Sequence, residues 1–283
     1  NLVETFRRPR IESALRPFSA VARAGATFLS GLSGGPVNLP RWETASVPAA
    51  YLETAPTVPN TQTSSLLSLS PHRISSETIL SRQLLRQTEN MESGGLENLV
   101  AAEMLAGIGA MLDNYALNGS GASGQPFGLL TLGSNAPGSR DLSKLAPPVS
   151  FAGAATWSKL CSFIGNVEAN DVVADDTSSW ILSPNTREKW ISTPQITAYP
   201  RYLSEDNKCV GFPLATTNNL TSSNRVIYGR WSSMIIATWA MSVLVDHVTL
   251  STSGNVRVFV DLWADCGPVY GPAFCASSDA GNQ

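Results

Sequence analysis

The sequence predicts an α+β fold, and three observations carry that prediction. Apolar residues Leu96, Leu99, Val100, Met104, Leu105, Ile108, Met111, Leu112 and Tyr115 recur at spacings of three and four, the strongest periodic signal in the chain. Beyond it the signals run helix, strand, helix and then several strands, an order typical of α+β proteins. Near the end, Val256, Val258, Val260 and Leu262 alternate with Arg257, Phe259, Asp261 and Trp263, a clean period-two strand. No tandem repeat of 20 to 50 residues is present.

The first 23 residues carry Arg7, Arg8, Arg10, Arg16 and Arg23 against Glu4 and Glu12. They read as a basic arm, extended or partly helical, or as a solvated terminus. Residues 25–59 are punctuated by Gly31, Gly34, Gly35, Pro36, Pro40, Pro48, Pro56 and Pro59, which excludes a long helix. Over 60–76, Leu67 and Leu69 alternate with Ser68 and Ser70 before Pro71 and Ile74. Two short strands without an obvious hydrophobic face predict a hairpin that needs a partner.

A turn or two of helix is expected over 81–87, then the spine helix over 95–117, roughly 34 Å long at 1.5 Å per residue. Asn118-Gly119-Ser120-Gly121 ends it, because Asn and Gly tolerate the left-handed conformation of a helix C-cap. After a Gly/Pro-rich loop to 150, a helix is expected over 156–169 with Trp157, Leu160, Cys161, Ile164 and Val167 on one side. Trp180-Ile181-Leu182 reads as a buried strand, and Pro184 suits the first turn of a short helix ending at Trp190. Further strands are expected over 214–217, 225–228, 234–239 and 256–264.

Composition narrows the function classes. Of 283 residues only 14% are charged, whereas 35 are Ser and 21 Thr; an average soluble protein has about a quarter charged. Four Lys (144, 159, 189, 208) stand against fifteen Arg. A net charge of −3 argues against a surface that grips nucleic acid throughout, leaving binding by one patch open. The most apolar stretch, 234–245, is too short to span a bilayer, and no secretory signal is recognisable at the start. Four Cys without CxxC spacing and two His make neither a metal site nor a bound cofactor expected.

Catalytic motifs fail on context. Gly119-Ser-Gly121-Ala-Ser-Gly124 matches a dinucleotide fingerprint as a string, but a helix precedes it and a loop follows. Gly31-Leu-Ser33-Gly-Gly35 matches a nucleophile elbow, yet Pro36 to Pro40 cannot form the helix such an elbow needs. His72 and His247 are the only imidazoles, and both read as surface or turn residues. Cys266 and Cys275 bracket two prolines and read either as buried free thiols or as a turn-closing disulfide. The basic arm, the unsupported hairpin and the long loops all need neighbours, which favours an assembly subunit without catalytic residues.

Six segments then resemble, in order, the major capsid proteins of tailed bacteriophages. Asn118-Gly-Ser-Gly121 with Gln125-Pro-Phe-Gly-Leu-Leu130, directly after a long amphipathic helix, is similar to that family's "NGxG…pxGll" signature. Trp180-Ile-Leu-Ser-Pro-Asn-Thr186 resembles its "wvmnp.t" step, Val210-Gly-Phe-Pro-Leu214 with Thr217-Asn-Asn219 its "l.G.Pv…s..m" segment, and Ile227-Tyr-Gly-Arg-Trp231 its "ifGdf" strand. Arg23-Ala-Gly-Ala-Thr27 and Ser81-Arg-Gln-Leu-Leu85 also fit.

The resemblance implies a phage capsid fold: an N-terminal arm over 1–38, a connection over 39–52 and an extended β-hairpin loop over 53–80, lying over a neighbouring subunit. A peripheral domain with the spine helix would span 81–149, an axial domain with a central mixed sheet 150–245, and a return strand with the C-terminal tail 246–283. It implies hexamers and pentamers of one chain in an icosahedral shell around double-stranded DNA, with a portal protein and no membrane, and leaves open a decoration or cementing protein. The place is the virion capsid, assembled in host cytoplasm. Many members lose an N-terminal scaffolding segment to a maturation protease, and a chain opening on Asn1 fits either that expectation or a longer chain with residues before it.

Candidates for contacts between subunits are Arg7, Arg8, Arg10 and Arg16 in the arm and Glu53, Arg73 and Glu77 in the loop. Some members weld the shell through a loop Lys, but no Lys precedes residue 144, so the expected shell is held non-covalently by interlaced arms and loops. The alternatives are the shell of a protein-loaded bacterial nanocompartment and, more remotely, a cytoplasmic hydrolase using Ser33 and one His.

Overall fold

The computed structural model describes residues 19–43, 50, 62–88, 95–137, 139, 141–196, 199–220, 225–277 and 279. In chain order, α1 (Ala20–Ala24), β1 (Thr27–Ser30) and β2 (Val37–Trp42) precede β3 (Ser64–Leu69), β4 (His72–Ser81), α2 (Arg82–Thr88) and α3 (Gly95–Asn118). Next come α4 (Trp157–Glu168), β5 (Ser178–Leu182) and α5 (Pro184–Ser192), followed by the short β6 (Pro194–Ile196), β7 (Tyr199–Tyr202), β8 (Ser204–Glu205) and β9 (Lys208–Cys209). β10 (Phe212–Thr216), β11 (Val226–Arg230), β12 (Met234–Asp246), β13 (Asn255–Pro268) and β14 (Phe274–Ala276) complete the chain.

α3 is the expected spine. It buries Ala101, Met104, Leu105, Ile108, Leu112, Ala116 and Leu117, and packs against β4 and β13. Each fully buried leucine contributes about 2 kcal/mol. Met111, expected in the apolar stripe, is 43% exposed, because the helix buries a face centred on Leu105, Ile108 and Leu112. The place beside Leu112 is taken by Asp113, only 1% exposed.

That carboxylate is matched to donors from the start of the described chain. Oδ1 accepts the Ser19 hydroxyl at 2.7 Å and the Val21 N–H at 2.8 Å, while the Thr217 hydroxyl lies 3.4 Å from Oδ2. Ser19 in turn caps α1 by accepting the Ala22 N–H at 3.0 Å. α1 rests against β5 and β10, and β1 pairs in parallel with β12. Residues 19–30 of the expected arm are therefore built into the body.

The four-stranded sheet runs β1-β12-β13-β4. Its inner face, with Ile74, Leu80, Val256, Val258, Val260 and Leu262, is buried, as the alternation over 256–262 predicts. Both long strands outrun their expected ends, and β12 continues past a register shift between Thr238 and Ala240. The hairpin expected over 60–76 does not form. β3 pairs with β2, with Val37 opposite Leu69, whereas β4 pairs with β13, with His72 opposite Ala264. Ser76 and Thr78, set between Ile74 and Leu80, disguise the apolar face that β4 turns inward.

The second sheet is mixed, in the order β14-β11-β5-β10-β9-β8, with β5 parallel to β10 and antiparallel to β11. Around it Phe163, Trp180, Trp190 and Tyr228 form an aromatic core, ring to ring at 4.7 to 5.8 Å. Pro184 opens α5 as expected, behind Ser183, whose hydroxyl accepts the Thr186 N–H at 3.2 Å. The sheets cut across the division expected along the chain: β12 belongs to the four-stranded sheet, and β14, from the C-terminal segment, is an edge of the mixed one.

Candidate assembly surfaces

Among the described residues, the outer face of the ribbon formed by β2 and β3 is the clearest surface that lacks a partner. The ribbon's inner side chains Val37, Leu39, Leu67 and Leu69 form a small second core with Ile235, Ala237 and Trp239 of β12. The Trp239 indole N–H donates to the Gly35 carbonyl at 3.2 Å. Because side chains alternate along a strand, the other face carries Pro40, Trp42 and Leu66. Trp42 is 67% exposed and Leu66 61%. Such exposure of large apolar side chains on one face marks an interaction surface.

The ribbon covers only one end of the outer face of the four-stranded sheet. Farther along, Ile79, Leu244 and Trp263 are exposed, among ion pairs that hold neighbouring strands in register. Two of the expected contact residues lie here. Arg73 pairs with Asp261 at 2.9 Å, and Glu77 pairs with Arg257 at 2.9 Å, so each has a partner within the chain. Arg257 also lies over the Phe259 ring at 5.6 Å. Arg7, Arg8, Arg10, Arg16 and Glu53 lie outside the described residues.

At the root of the ribbon, Ser70 and Pro71 join β3 to β4. The Ser70 N–H donates to Asp265 Oδ2 at 2.7 Å, and the Cys266 N–H donates to Asp265 Oδ1 at 2.8 Å. Asp265 is 6% exposed, and burial pushes its carboxyl above the usual carboxylate range, against the pull of both N–H donors and of His72. It borders a cavity of about 290 Å³ that is also lined by Arg41, His72, Gln125 and Gly267. Asp113 and Asp265 are buried acceptors that spacing did not reveal. Asp113 has one signal, a lone carboxylate inside an apolar helical stripe; Asp265 has none, since it continues the outward-facing series 257, 259, 261 and 263.

The glycine motif after the spine is a tight backbone crossing. The Gly128 N–H donates to the Gly119 carbonyl at 2.8 Å, and the Gly121 N–H to the Pro126 carbonyl at 3.1 Å. A Cβ on Gly128 would stand 2.3 Å from the Gly119 nitrogen, and one on Gly119 would stand 2.2 Å from the Pro126 oxygen. Only glycine fits either position. The motif shapes a loop around backbone.

The remaining chemistry is structural. Gly31-Leu-Ser33-Gly-Gly35 runs into strand β2, so no helix supports Ser33. Cys266 and Cys275 are free buried thiols in different sheets, and no disulfide closes the turn between them. Burial pushes the Cys209 and Cys275 thiols up to about 12 and raises Cys266 as well. Among the described residues no cluster of His, Cys, Asp or Glu could hold a metal ion, and no helix is long and apolar enough to cross a membrane.

Comparison with known proteins agrees with this geometry. Residues 1–278 match the model of the phage capsid family. The chain is 26% identical over 266 residues to the major capsid protein of Halomonas phage phiHAP-1, an alignment that covers 92% of this chain and 41% of that protein. The chain thus spans about two fifths of the length of that curated relative. Among solved structures, the capsid of a native GTA particle superposes with a TM-score of 0.73 at 14% identity, covering 91% of this chain and 89% of the other. A structure from Microbacterium phage Oxtober96 gives 0.65 at 13% identity, covering 92% and 90%. One from Mycobacterium phage Adephagia gives 0.64 at 14%, covering 92% and 89%. These structures share the fold, and the family is structural, not enzymatic. From the ribbon, the spine and the mixed sheet to the match along nearly its whole length, the chain belongs to the phage capsid family.

Proposed function

We propose that this chain is a major capsid subunit that assembles with copies of itself, as hexamers and pentamers, into an icosahedral shell. The observation that carries the reading is the ribbon, which leaves Trp42 and Leu66 on a face that none of the described residues covers. The shell encloses double-stranded DNA in the virion, is assembled in host cytoplasm and takes a portal protein, with a decoration or cementing protein as an optional further partner. In this reading the four-stranded sheet and spine form the peripheral domain, and the mixed sheet forms the axial domain.

The cohesion is non-covalent and multivalent, since linked weak contacts accumulate avidity. Arg7, Arg8, Arg10 and Arg16 pair with carboxylates of adjacent subunits, because guanidinium forms bidentate carboxylate pairs. Glu53 also contributes a contact between subunits, while Arg73 and Glu77 serve the outer face from within their intrachain pairs.

Sedimentation velocity with negative-stain microscopy tests the reading: megadalton shells with nuclease-protected DNA are expected. Monomers at all concentrations would refute it, and shells filled with protein instead of DNA would assign the chain to a nanocompartment. Replacing Arg7, Arg8 and Arg10 by Ala should lower particle yield and thermal stability; unchanged particles would refute the role of the arm.

A further inference from the structure

Among the described residues, Asp113 and Asp265 are the only charged side chains in the buried class. Each accepts main-chain N–H groups from the root of one of the two segments that the shell reading sends to neighbours. Asp113 takes the Val21 N–H and the Ser19 hydroxyl, where the chain enters the body. Asp265 takes the Ser70 N–H, where the ribbon joins the sheet. A buried carboxylate with no ion-pair partner is expensive unless its oxygens are saturated by donors. Both are matched to donors remote in sequence, 92 residues away from Asp113 at Val21 and 195 away from Asp265 at Ser70.

We infer that Asp113 and Asp265 are root clamps, positioning residues that hold the arm and the ribbon where each leaves the body, independently of one another. The consequence for assembly rests on the shell reading above, whereas the clamps themselves can be read on the unassembled chain.

The two clamps differ in a way that separates a positional role from burial alone. At Asp113 one oxygen, Oδ1, accepts both arm donors, and Oδ2 faces only the Thr217 hydroxyl. Asparagine there keeps Oδ1 and turns an NH2 toward a hydroxyl that can accept it. At Asp265 each oxygen takes one N–H. Asparagine there satisfies one donor and sets its NH2 against the other.

Hydrogen exchange of the unassembled chain, resolved over residues 19–30 and 64–71, reads both. Asp113→Ala should speed exchange over 19–30 by roughly tenfold or more, the factor for losing one hydrogen bond to a charged group, and leave 64–71 unchanged. Asp265→Asn should do the reverse, and Asp113→Asn should alter neither segment. Ser19→Ala, which removes one donor and the cap of α1, should loosen 19–30 alone and serves if Asp113→Ala does not fold. In the wild-type chain the Ser70 amide should be protected like the strand amides beside it, which tests the ribbon clamp without any variant. Equal acceleration of both segments, an unprotected Ser70, or Asp113→Asn behaving as Asp113→Ala would overturn the inference. Particle assembly by the same variants then speaks to the shell reading alone.

Discussion

Replacing Gly128 by Ala puts the backbone crossing after the spine to the test. The added Cβ would lie 2.3 Å from the Gly119 nitrogen and 2.8 Å from both the carbonyl carbon and the nitrogen of Asn118. All three are main-chain atoms at the end of a helix, so no rotamer change can relieve the clash. Overpacking of this kind costs about 1–3 kcal/mol. Moving the two crossing segments apart also sacrifices the 2.8 Å bond from Gly128 N–H to the Gly119 carbonyl, worth about 1 kcal/mol. The sum, about 2–4 kcal/mol, is a large part of the total stability of an ordinary domain, about 5–15 kcal/mol. For a chain of this size it corresponds to a fall in Tm of roughly 4–8 °C. Urea unfolding followed by fluorescence of the buried tryptophans measures it on the unassembled chain. Gly133→Ala is the matched control, since the nearest atoms to its Cβ are side-chain carbons of Lys144 at 3.8 Å and beyond. A loss below about 1 kcal/mol for Gly128→Ala, or equal effects of the two substitutions, would refute the steric account.

Four further outcomes are expected. Trp42→Ala with Leu66→Ala should abolish or sharply reduce particle formation while shifting the unassembled chain by less than about 0.5 kcal/mol, as suits exposed positions; chemical denaturation and particle yield together check this. Gly107→Ala and Gly165→Ala meet nothing within 4 Å and lie inside α3 and α4, so each should raise stability by about 0.5–1 kcal/mol in the same denaturation assay. A thiol reagent should titrate one of the four cysteines, Cys161, in the native chain and all four after unfolding, because Cys209, Cys266 and Cys275 are buried with raised thiol pKa values; mass spectrometry identifies the labelled site. The folded state raises the pKa of Asp265 above its ordinary 3.8, so the folded chain binds that proton more tightly. The contribution of this group to stability is therefore largest below pH 3.8 and falls as pH rises through the folded pKa. Stability curves of wild type and Asp265→Asn should differ in slope with that sign in this window, and parallel curves would refute the shift.

Local structure was readable wherever a side-chain period survived. The spine, α4 and α5 declare themselves by spacing and by Pro184, and β13 by its alternation. Strand partners were not readable. β3 and β4 adjoin in sequence with only Ser70 and Pro71 between them, which suggests a hairpin, yet the chain turns at Pro71 and each strand pairs with a different sheet. The reason is Ile74 and Leu80, which gain burial against the spine only if β4 aligns with β13. Met111 shows the same limit on the helix, since periodicity defines a stripe and the neighbouring sheet selects which part of it is covered.

From its own residues the chain determined its class, its helices, its longest alternating strand and the ordered motifs that it shares with phage capsid proteins, because these depend on spacings within a few turns or strand lengths. It also determined that no lysine is available before residue 144 for a covalent weld through the ribbon. Only the tertiary structure decided that Asp113 and Asp265 are buried and that the arm and ribbon are rooted on them. A carboxylate in a helix stripe and one on the outward side of a strand are ordinary surface groups until distant backbone arrives with donors and excludes water. Ser70 comes from 195 positions away to do so for Asp265, and no local period encodes that meeting.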